Sequence, residues 1–171
     1  MEDEDQAAPL VVVSGVSGSG KTTVGRALAL QLGVPYAEGD DFHPPANVEK
    51  MTAGIPLSDA DRRPWLDEIA QWLADHSLRG GVVACSALKR HHRDRLTSAA
   101  PNVFFVHLHG SAQLIADRMA ARRGHFMPES LLQSQLDTLE PLSPDEHGAQ
   151  VPIDGTPAET TRLAVDAVRA R

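Results

Sequence analysis

The stretch that decides the fold is Leu10-Val-Val-Val-Ser-Gly15-Val-Ser-Gly-Ser-Gly20-Lys21-Thr22-Thr23-Val-Gly-Arg-Ala-Leu-Ala-Leu-Gln-Leu32. Its apolar start predicts a buried strand, and the apolar spacing after Thr23 predicts a helix. The glycine-rich segment between them has the form G-x-x-x-x-G-K-[ST], which in this strand-turn-helix context is a P-loop. The alternative, an ordinary glycine turn between a strand and a helix, leaves the lysine and the hydroxyl unexplained.

The P-loop predicts a site for ATP and Mg²⁺. Glycines let successive backbone N–H groups point at phosphate oxygens, and the following helix adds the positive end of its dipole. Lys21 is expected to reach the β- and γ-phosphates and Thr22 to offer its hydroxyl to Mg²⁺. The predicted nucleotide-binding residues are Gly15, Ser17, Gly18, Ser19, Gly20, Lys21, Thr22 and Thr23.

Outward from the P-loop, apolar segments alternate with helical patterns, which is typical of an α/β fold with a parallel sheet. Strands are predicted at about Leu10–Ser14, Pro35–Glu38, Val82–Ser86, Asn102–Leu108 and Gln150–Asp154. Capping residues at Ser58 and Thr156 predict two helix starts. We expect one domain over residues 9–171, preceded by an acidic, flexible tail at residues 1–8.

The composition argues against several classes of protein. The 171 residues carry 16 Lys+Arg and 23 Asp+Glu, a formal charge of -7, which argues against general nucleic-acid binding. The single cysteine, Cys85, excludes a disulfide scaffold and a multi-thiolate metal site, and we expect it to be a core residue. The acidic start lacks the basic residues of a secretory address, and no apolar run approaches the roughly 18 residues of a membrane span. A cytoplasmic protein without membrane contact is the expectation.

Acidic residues follow the predicted second strand, at the edge where open α/β sheets bind ligands. In a kinase, one carboxylate there can accept the proton of the attacking hydroxyl and another can serve the metal. Asp40 is the candidate base and Glu38 the candidate metal-side acid. The alternative is that Gly39-Asp-Asp is only a turn.

Histidines do not predict a metal site. Neighbouring side chains on a helix point apart, so we expect His91 and His92 to diverge, and neither His107 nor His109 completes a tetrahedral set.

Five further segments, in order along the chain, accompany the P-loop. They are Gly39-Asp40 with His43-Pro44, Glu49-Lys50-Met51, Asp59-x-Asp-Arg62-x-Pro64-Trp65-Leu66, Cys85-Ser-Ala-Leu-Lys89 with Arg93-Asp94, and Arg122-x-Gly-His125-Phe126. Together with the P-loop, these segments resemble the gluconokinase family from about Leu10 to Leu139. The family usually has aspartate at the position of Glu38.

The resemblance implies the fold of nucleoside monophosphate kinases, a five-stranded parallel sheet flanked by helices with a mobile lid at about 118–130. It implies transfer of the ATP γ-phosphoryl group to the 6-hydroxyl of D-gluconate, lid arginines Arg118 and Arg122 at the phosphates, His125 at the substrate, and a homodimer. Gluconate is a polyol with one carboxylate, so its site needs fixed cations and hydrogen-bonding side chains. Arg62, Lys89 and Arg93 are assigned to the carboxylate, and Asp40, His43 and Lys50 to the hydroxyls.

Two alternatives stay open. A kinase for another small anionic acceptor, such as shikimate, would use the same P-loop and Asp40 chemistry. A nucleotide-switched binding protein would share the P-loop but turn over slowly. A GTP-dependent switch is disfavoured because the chain contains no Asn-Lys pair for reading guanine.

Overall fold

Five short apolar segments form one parallel sheet in the computed structural model, which describes residues 8–121 and 129–171. The strands are β1 (Leu10–Ser14), β2 (Tyr36–Glu38), β3 (Gly81–Ala84), β4 (Phe104–His109) and β5 (Gly148–Pro152). Their order across the sheet is β2-β3-β1-β4-β5, and every neighbouring pair is parallel. The predicted α/β class and all five strands are confirmed, with strand ends that differ from the predicted ones by at most two residues.

Helices connect successive strands, as parallel pairing requires. They are α1 (Lys21–Leu32), α2 (Pro45–Thr52), α3 (Asp59–Asp75), α4 (Arg90–Ala99), α5 (Ala112–Ala121), α6 (Glu129–Thr138) and α7 (Pro157–Arg169), with a 3-10 helix at Gly39–Phe42. Both predicted helix starts are confirmed, because Ser58 and Thr156 each accept a hydrogen bond from the third helical N–H in a capping box. No described helix combines the length and apolar composition needed to span a bilayer.

Alternation along β1 divides the core into two layers. Val11 and Val13 face the layer that α1 and α7 cover, whereas Leu10 and Val12 face the layer that contains Trp65 of α3. The sheet is therefore covered on both faces, and the carboxyl ends of its parallel strands meet at one edge. That edge carries the P-loop after β1, the 3-10 helix after β2 and the Cys85–Lys89 segment after β3.

Candidate active site

The amine of Lys21 folds back onto the P-loop. Lys21 Nζ donates hydrogen bonds to the backbone oxygens of Gly15 (3.0 Å) and Val16 (3.1 Å). Gly18 has φ +83°, and a Cβ there would lie 2.5 Å from Cγ of Met119 on α5. A side chain at Gly18 would therefore strain the backbone and displace the Met119 side chain.

Thr22 and Glu38 lie side by side at the start of α1. Thr22 Oγ1 donates to Glu38 Oε2 at 2.6 Å, and the Tyr36 hydroxyl donates to the same oxygen at 2.7 Å. Burial and the neighbouring Glu38 carboxylate raise the pKa of Tyr36, which keeps its phenol a donor. A hydroxyl beside a carboxylate is an oxygen donor set that suits Mg²⁺.

Asp40 is placed by a close approach of backbones. A Cβ at Gly39 would lie 2.1 Å from the carbonyl oxygen of Ala84 on β3, so only glycine fits between the two segments. Trp65 Nε1 also donates to the Gly39 oxygen at 2.8 Å. These contacts fix the 3-10 helix against the sheet and α3, with Asp40 at its second position.

One pocket joins the P-loop to the acceptor side. It is lined by Ser17, Lys21, Asp40, His43, Met51, Pro56, Leu57, Arg62, Trp65, Ser86, Leu88, Ser134 and Gln135. The structure thus brings together five predicted functional residues: Ser17, Lys21, Asp40, His43 and Arg62. It does not bring Lys50, Lys89 or Arg93 to the lining of this pocket.

His43 is a neutral hydrogen-bonding group in this pocket. Its ring stacks on Trp65 with centroids 4.4 Å apart, and Asn47 Nδ2 lies 3.1 Å from its Nδ1. Burial, with a smaller effect of Arg62, lowers the pKa of His43 to about 4. Because an amide NH₂ only donates, Nδ1 accepts and the proton of the neutral ring is on Nε2.

Asp59 and Asp61 hold the cations at the start of α3. Lys89 Nζ lies 3.3 Å from Asp59 and Arg62 Nη1 lies 3.9 Å from it. Lys50 Nζ contacts both carboxylate oxygens of Asp61, at 2.9 and 3.0 Å. Arg62 lines the pocket. Lys50 and Lys89 do not line it, and they form ion pairs with Asp61 and Asp59.

Arg93 is a structural residue, contrary to its expected place at the substrate. Its side chain is 1% exposed and its guanidinium bonds Glu146 through Nε (2.7 Å) and Nη2 (3.2 Å). The other N–H groups donate to the backbone oxygens of Ala87, Leu88 and Pro141. A guanidinium has five N–H donors, so this network uses them all. Arg93 joins α4 to the segment before β5.

His91 and His92 do not diverge as expected. Their ring centroids lie 4.5 Å apart, and the Nε2 atoms lie 3.7 and 3.4 Å from Asp59 Oδ1, so the three side chains form a group within ligand distance of one another. However, Lys89 N donates to His92 Nδ1, which places the proton of a neutral ring on Nε2. With that proton and the Lys89 amine at the carboxylate, the group is better suited to an ion-pair network than to a metal.

Arg118 lies on the other side of the P-loop, at the end of α5. It donates to the backbone oxygens of Ile153 and, at 3.1 Å, Gly155. A second pocket there is lined by Gly18, Ser19, Gly20, Thr23, Val24, Arg118, Ala121, Pro157 and Thr160. The Ser19 hydroxyl is buried and has no hydrogen-bond partner among the described residues. Arg122 and His125 lie outside the described residues.

Ser134 and Gln135 of α6 are functional candidates that the sequence analysis missed. Both line the main pocket, and Gln135 Oε1 accepts a hydrogen bond from the P-loop N–H of Ser17 at 2.7 Å. A signal was present: Gln135 is a polar residue between Leu132, Leu136 and Leu139, which pack into the core at helical spacing.

Comparison with known proteins agrees with this geometry. The family model described as shikimate kinase matches residues 17–141. A gluconokinase of Gluconobacter oxydans is 53% identical over 138 residues, covering 80% of this chain and 78% of the relative. The crystal structure of a gluconokinase from Sinorhizobium meliloti has a TM-score of 0.90 at 48% identity and covers 96% and 94% of the two chains. A shikimate kinase from Acinetobacter baumannii, with a TM-score of 0.59 at 19% identity over 95% and 92%, shares the fold alone.

The fold and the site define a kinase of the P-loop class that the shikimate kinase model describes, acting on a small molecule. Its relatives at high identity, over most of their length, are gluconokinases. The chain belongs to the gluconokinase family. The predictions of family, fold and kinase activity are confirmed, and a binding protein with little turnover is disfavoured.

Proposed function

We propose that the protein transfers the γ-phosphoryl group of ATP to the 6-hydroxyl of D-gluconate, with Mg²⁺ as the metal. The observation that carries this proposal is the single pocket in which Lys21 of the P-loop, the Asp40 carboxylate and the Arg62 guanidinium meet. Family membership supports gluconate as the acceptor.

On the nucleotide side, the P-loop N–H groups and Lys21 would bind the phosphates. Thr22 and Glu38 would hold Mg²⁺, whose charge offsets that of the phosphates when bound. Glu38 replaces the family's aspartate, and its contact with Thr22 supports a metal-side role despite the longer side chain. The pocket beside Arg118 is a suitable place for the adenine base, which gives Arg118 a nucleotide-binding role rather than one at the transferring phosphate.

On the acceptor side, Arg62 would bind the gluconate carboxylate. Its side chain is 11% exposed, so a charge-assisted bond there is screened less than one in open solvent. His43 would donate from Nε2 to a hydroxyl. Lys89 and Lys50, held by Asp59 and Asp61, would act at the margin of the pocket and reach the substrate only by leaving these carboxylates.

In the reaction, the 6-hydroxyl oxygen attacks the γ-phosphorus, its proton passes to the Asp40 carboxylate, and the bond between phosphorus and the leaving oxygen of ADP breaks. Lys21 compensates negative charge on the phosphoryl oxygens. The remaining assignments stay predictions: Arg122 and His125 in a lid at 118–130, one domain over 9–171 with an acidic tail, a homodimer, and a cytoplasmic location.

Shikimate is a second candidate acceptor, because the shikimate kinase model matches residues 17–141. Release of ADP, measured by a coupled assay with gluconate, with shikimate and without acceptor, separates the possibilities. We expect turnover with gluconate and only background release in the other two reactions. Turnover with shikimate instead would overturn the assignment of the acceptor, and no turnover with either would overturn the proposed kinase function for these acids.

A further inference from the structure

We propose that Asn47 on α2 is a positioning residue, which presents His43 to the acceptor with the ring proton on Nε2. The proposal rests on the proposed function, since it deepens the assignment of His43 as a hydrogen-bond donor to a substrate hydroxyl. Asn47 does not line the pocket that contains His43 and has no role in the assignments above. Its effect on the acceptor would therefore pass through His43.

Burial makes the Asn47 amide dependent on partners within the protein. The residue is 2% exposed and is the third residue of α2. A buried amide needs hydrogen bonds, because burial without them costs free energy. Asn47 Nδ2 donates to the backbone oxygen of Asp61 at 2.8 Å and lies 3.1 Å from His43 Nδ1. Each of its two N–H groups thus has an acceptor.

The carbonyl of Asp61 determines which way the amide points. A carbonyl oxygen only accepts, so the NH₂ group of Asn47, and not its oxygen, must face Asp61. The second N–H of the same nitrogen is then directed at His43 Nδ1, which must accept. A neutral imidazole has one N–H, so the ring proton is on Nε2. The tautomer of His43 is therefore set by a backbone oxygen of α3.

That backbone oxygen belongs to a residue that several contacts hold in place. In the capping box of α3, Asp61 N donates to Ser58 Oγ at 3.1 Å, and the Asp61 carboxylate accepts the Ser58 N–H at 2.9 Å. Lys50, three residues after Asn47 on α2, also bonds the Asp61 carboxylate. The ion pair does not involve the Asn47 amide, so replacing that amide removes one of two contacts between α2 and α3.

The His43 ring needs a contact that distinguishes its two nitrogens. Stacking on Trp65, with ring planes 7° apart, fixes the plane of the ring but not the nitrogen that carries the proton. Burial, with a smaller effect of Arg62, lowers the pKa of His43 to about 4, so the ring is neutral at neutral pH. The half-buried ring lines the pocket together with Asp40 and Arg62. Asn47 would thus make His43 a donor, and not an acceptor, on the acceptor side.

The tautomer can be observed directly in wild type. Two-bond ¹H–¹⁵N NMR correlations separate protonated from unprotonated ring nitrogens, and the His43 signals are identified by their loss in His43→Phe. At neutral pH we expect Nε2 to be protonated in wild type, and a mixture of tautomers in Asn47→Leu, which keeps the volume but cannot donate. Asn47→Ser, too short to reach both partners, should behave in the same way. Wild type with the proton on Nδ1 would overturn the inference without any Asn47 variant.

Kinetic measurements test whether Asn47 acts through His43. Both Asn47 variants should raise the gluconate KM by roughly fivefold to tenfold, with the ATP KM changed less than about twofold. His43→Phe keeps a ring that can stack on Trp65 and should raise the gluconate KM by at least as much. Adding Asn47→Leu to His43→Phe should raise it less than about twofold further, because the contact is already lost. Thr52→Val removes an exposed hydrogen bond at the end of α2 and, as the matched control, should behave as wild type.

An unchanged tautomer or an unchanged gluconate KM in both Asn47 variants would overturn the inference. So would effects of Asn47→Leu and His43→Phe that multiply in the double variant, because Asn47 would then act independently of His43. A parallel rise of the ATP and gluconate KM values with a lower melting temperature would make Asn47 only a packing residue between α2 and α3. Failure of wild type to phosphorylate gluconate would instead overturn the proposed function, whereas the NMR measurement tests the contact between Asn47 and His43 without any turnover.

Discussion

The two sides of the proposed active site are built by different means. The nucleotide side is one continuous segment, Gly15–Thr22, whose backbone and Lys21 are shaped by glycines and by the start of α1. The acceptor side is assembled from side chains of the 3-10 helix, α3 and α6. A site formed by one continuous segment can be recognised from its sequence motif. A site formed by side chains that are distant in sequence depends on how the fold places each of them.

The largest expected effect separates the two sides. Lys21→Ala removes the cation at the phosphates and should lower kcat by about 10³-fold, measured as ADP release. Gluconate affinity, measured by calorimetry, should stay within about twofold of wild type, since the proposed role of Lys21 is confined to the nucleotide phosphates. Near-normal turnover of this variant would show that the P-loop assignment is wrong.

Asp40→Asn tests the group at which the two sides meet. Asparagine keeps the shape but cannot take the proton, so kcat should fall by at least about 10²-fold while ATP still binds. Asp41→Asn, an exposed neighbour, is the matched control and should be close to wild type. If kcat holds and only the gluconate KM rises, Asp40 is a binding residue and not the base.

Arg93→Ala should act on stability. It removes the guanidinium that bonds both carboxylate oxygens of the buried Glu146, which keeps only the Ser143 N–H and the Arg90 Nε at 3.8 Å. Breaking a buried pair costs about 3 to 5 kcal/mol of unfolding free energy, measurable by urea denaturation. Arg95→Ala, which removes an exposed contact with Asp67, should cost far less. If the Arg93 variant kept its stability but bound gluconate more weakly, Arg93 would be a substrate-binding residue and the structural role would be wrong.

Arg62→Gln should act on the acceptor alone. Loss of a charge-assisted bond to the carboxylate predicts a rise of roughly tenfold in the gluconate KM with an unchanged ATP KM. Arg63→Gln changes an exposed arginine beside it and serves as the control. Equal losses of ATP and gluconate affinity would point to a folding defect and count against the assigned role.

The smallest expected effect is a pH dependence of the unfolding free energy that comes from His107 on β4, next to the last residue of β1. Burial lowers the pKa of His107, which lies 3.1 Å from the Ser14 hydroxyl, to about 4 from an ordinary value of 6.5. Between pH 6.5 and 4 the unfolded chain therefore binds a proton that the folded chain does not bind. The stability present above pH 6.5 is lost as the pH falls toward 4. His43 and His92, also near 4, act in the same direction.

For His107 alone, the loss from pH 8 to pH 6 should be about 1 kcal/mol. His107→Asn should make the unfolding free energy less dependent on pH over this range, whatever its absolute stability. A His107 variant with the wild-type pH profile would contradict the depressed pKa.

The contrast between a continuous segment and side chains brought together by the fold also explains what could be predicted from the sequence. The sheet, the two capped helices and the P-loop depend on local patterns, and each was predicted. Glu38 and Asp40 could be proposed because they lie at the end of the second strand, at the edge where open α/β sheets bind ligands. Arg62 and Arg93 look alike in sequence, and only the fold shows that one faces a pocket while the other is enclosed by Glu146 and three carbonyls. Gln135 belongs to a distant helix, so its contact with Ser17 had no local motif.

The position of the phosphate in the product formed from ATP and D-gluconate shows whether Asp40 and Arg62 orient the acceptor as proposed. Phosphorus NMR without proton decoupling should show a phosphomonoester split into a triplet, because a phosphate on the 6-oxygen couples to two protons on its carbon. A doublet would place the phosphate on a secondary hydroxyl, and a singlet would indicate an acyl phosphate on the carboxylate. Either result would contradict a site in which Arg62 holds the carboxylate and Asp40 activates the 6-hydroxyl.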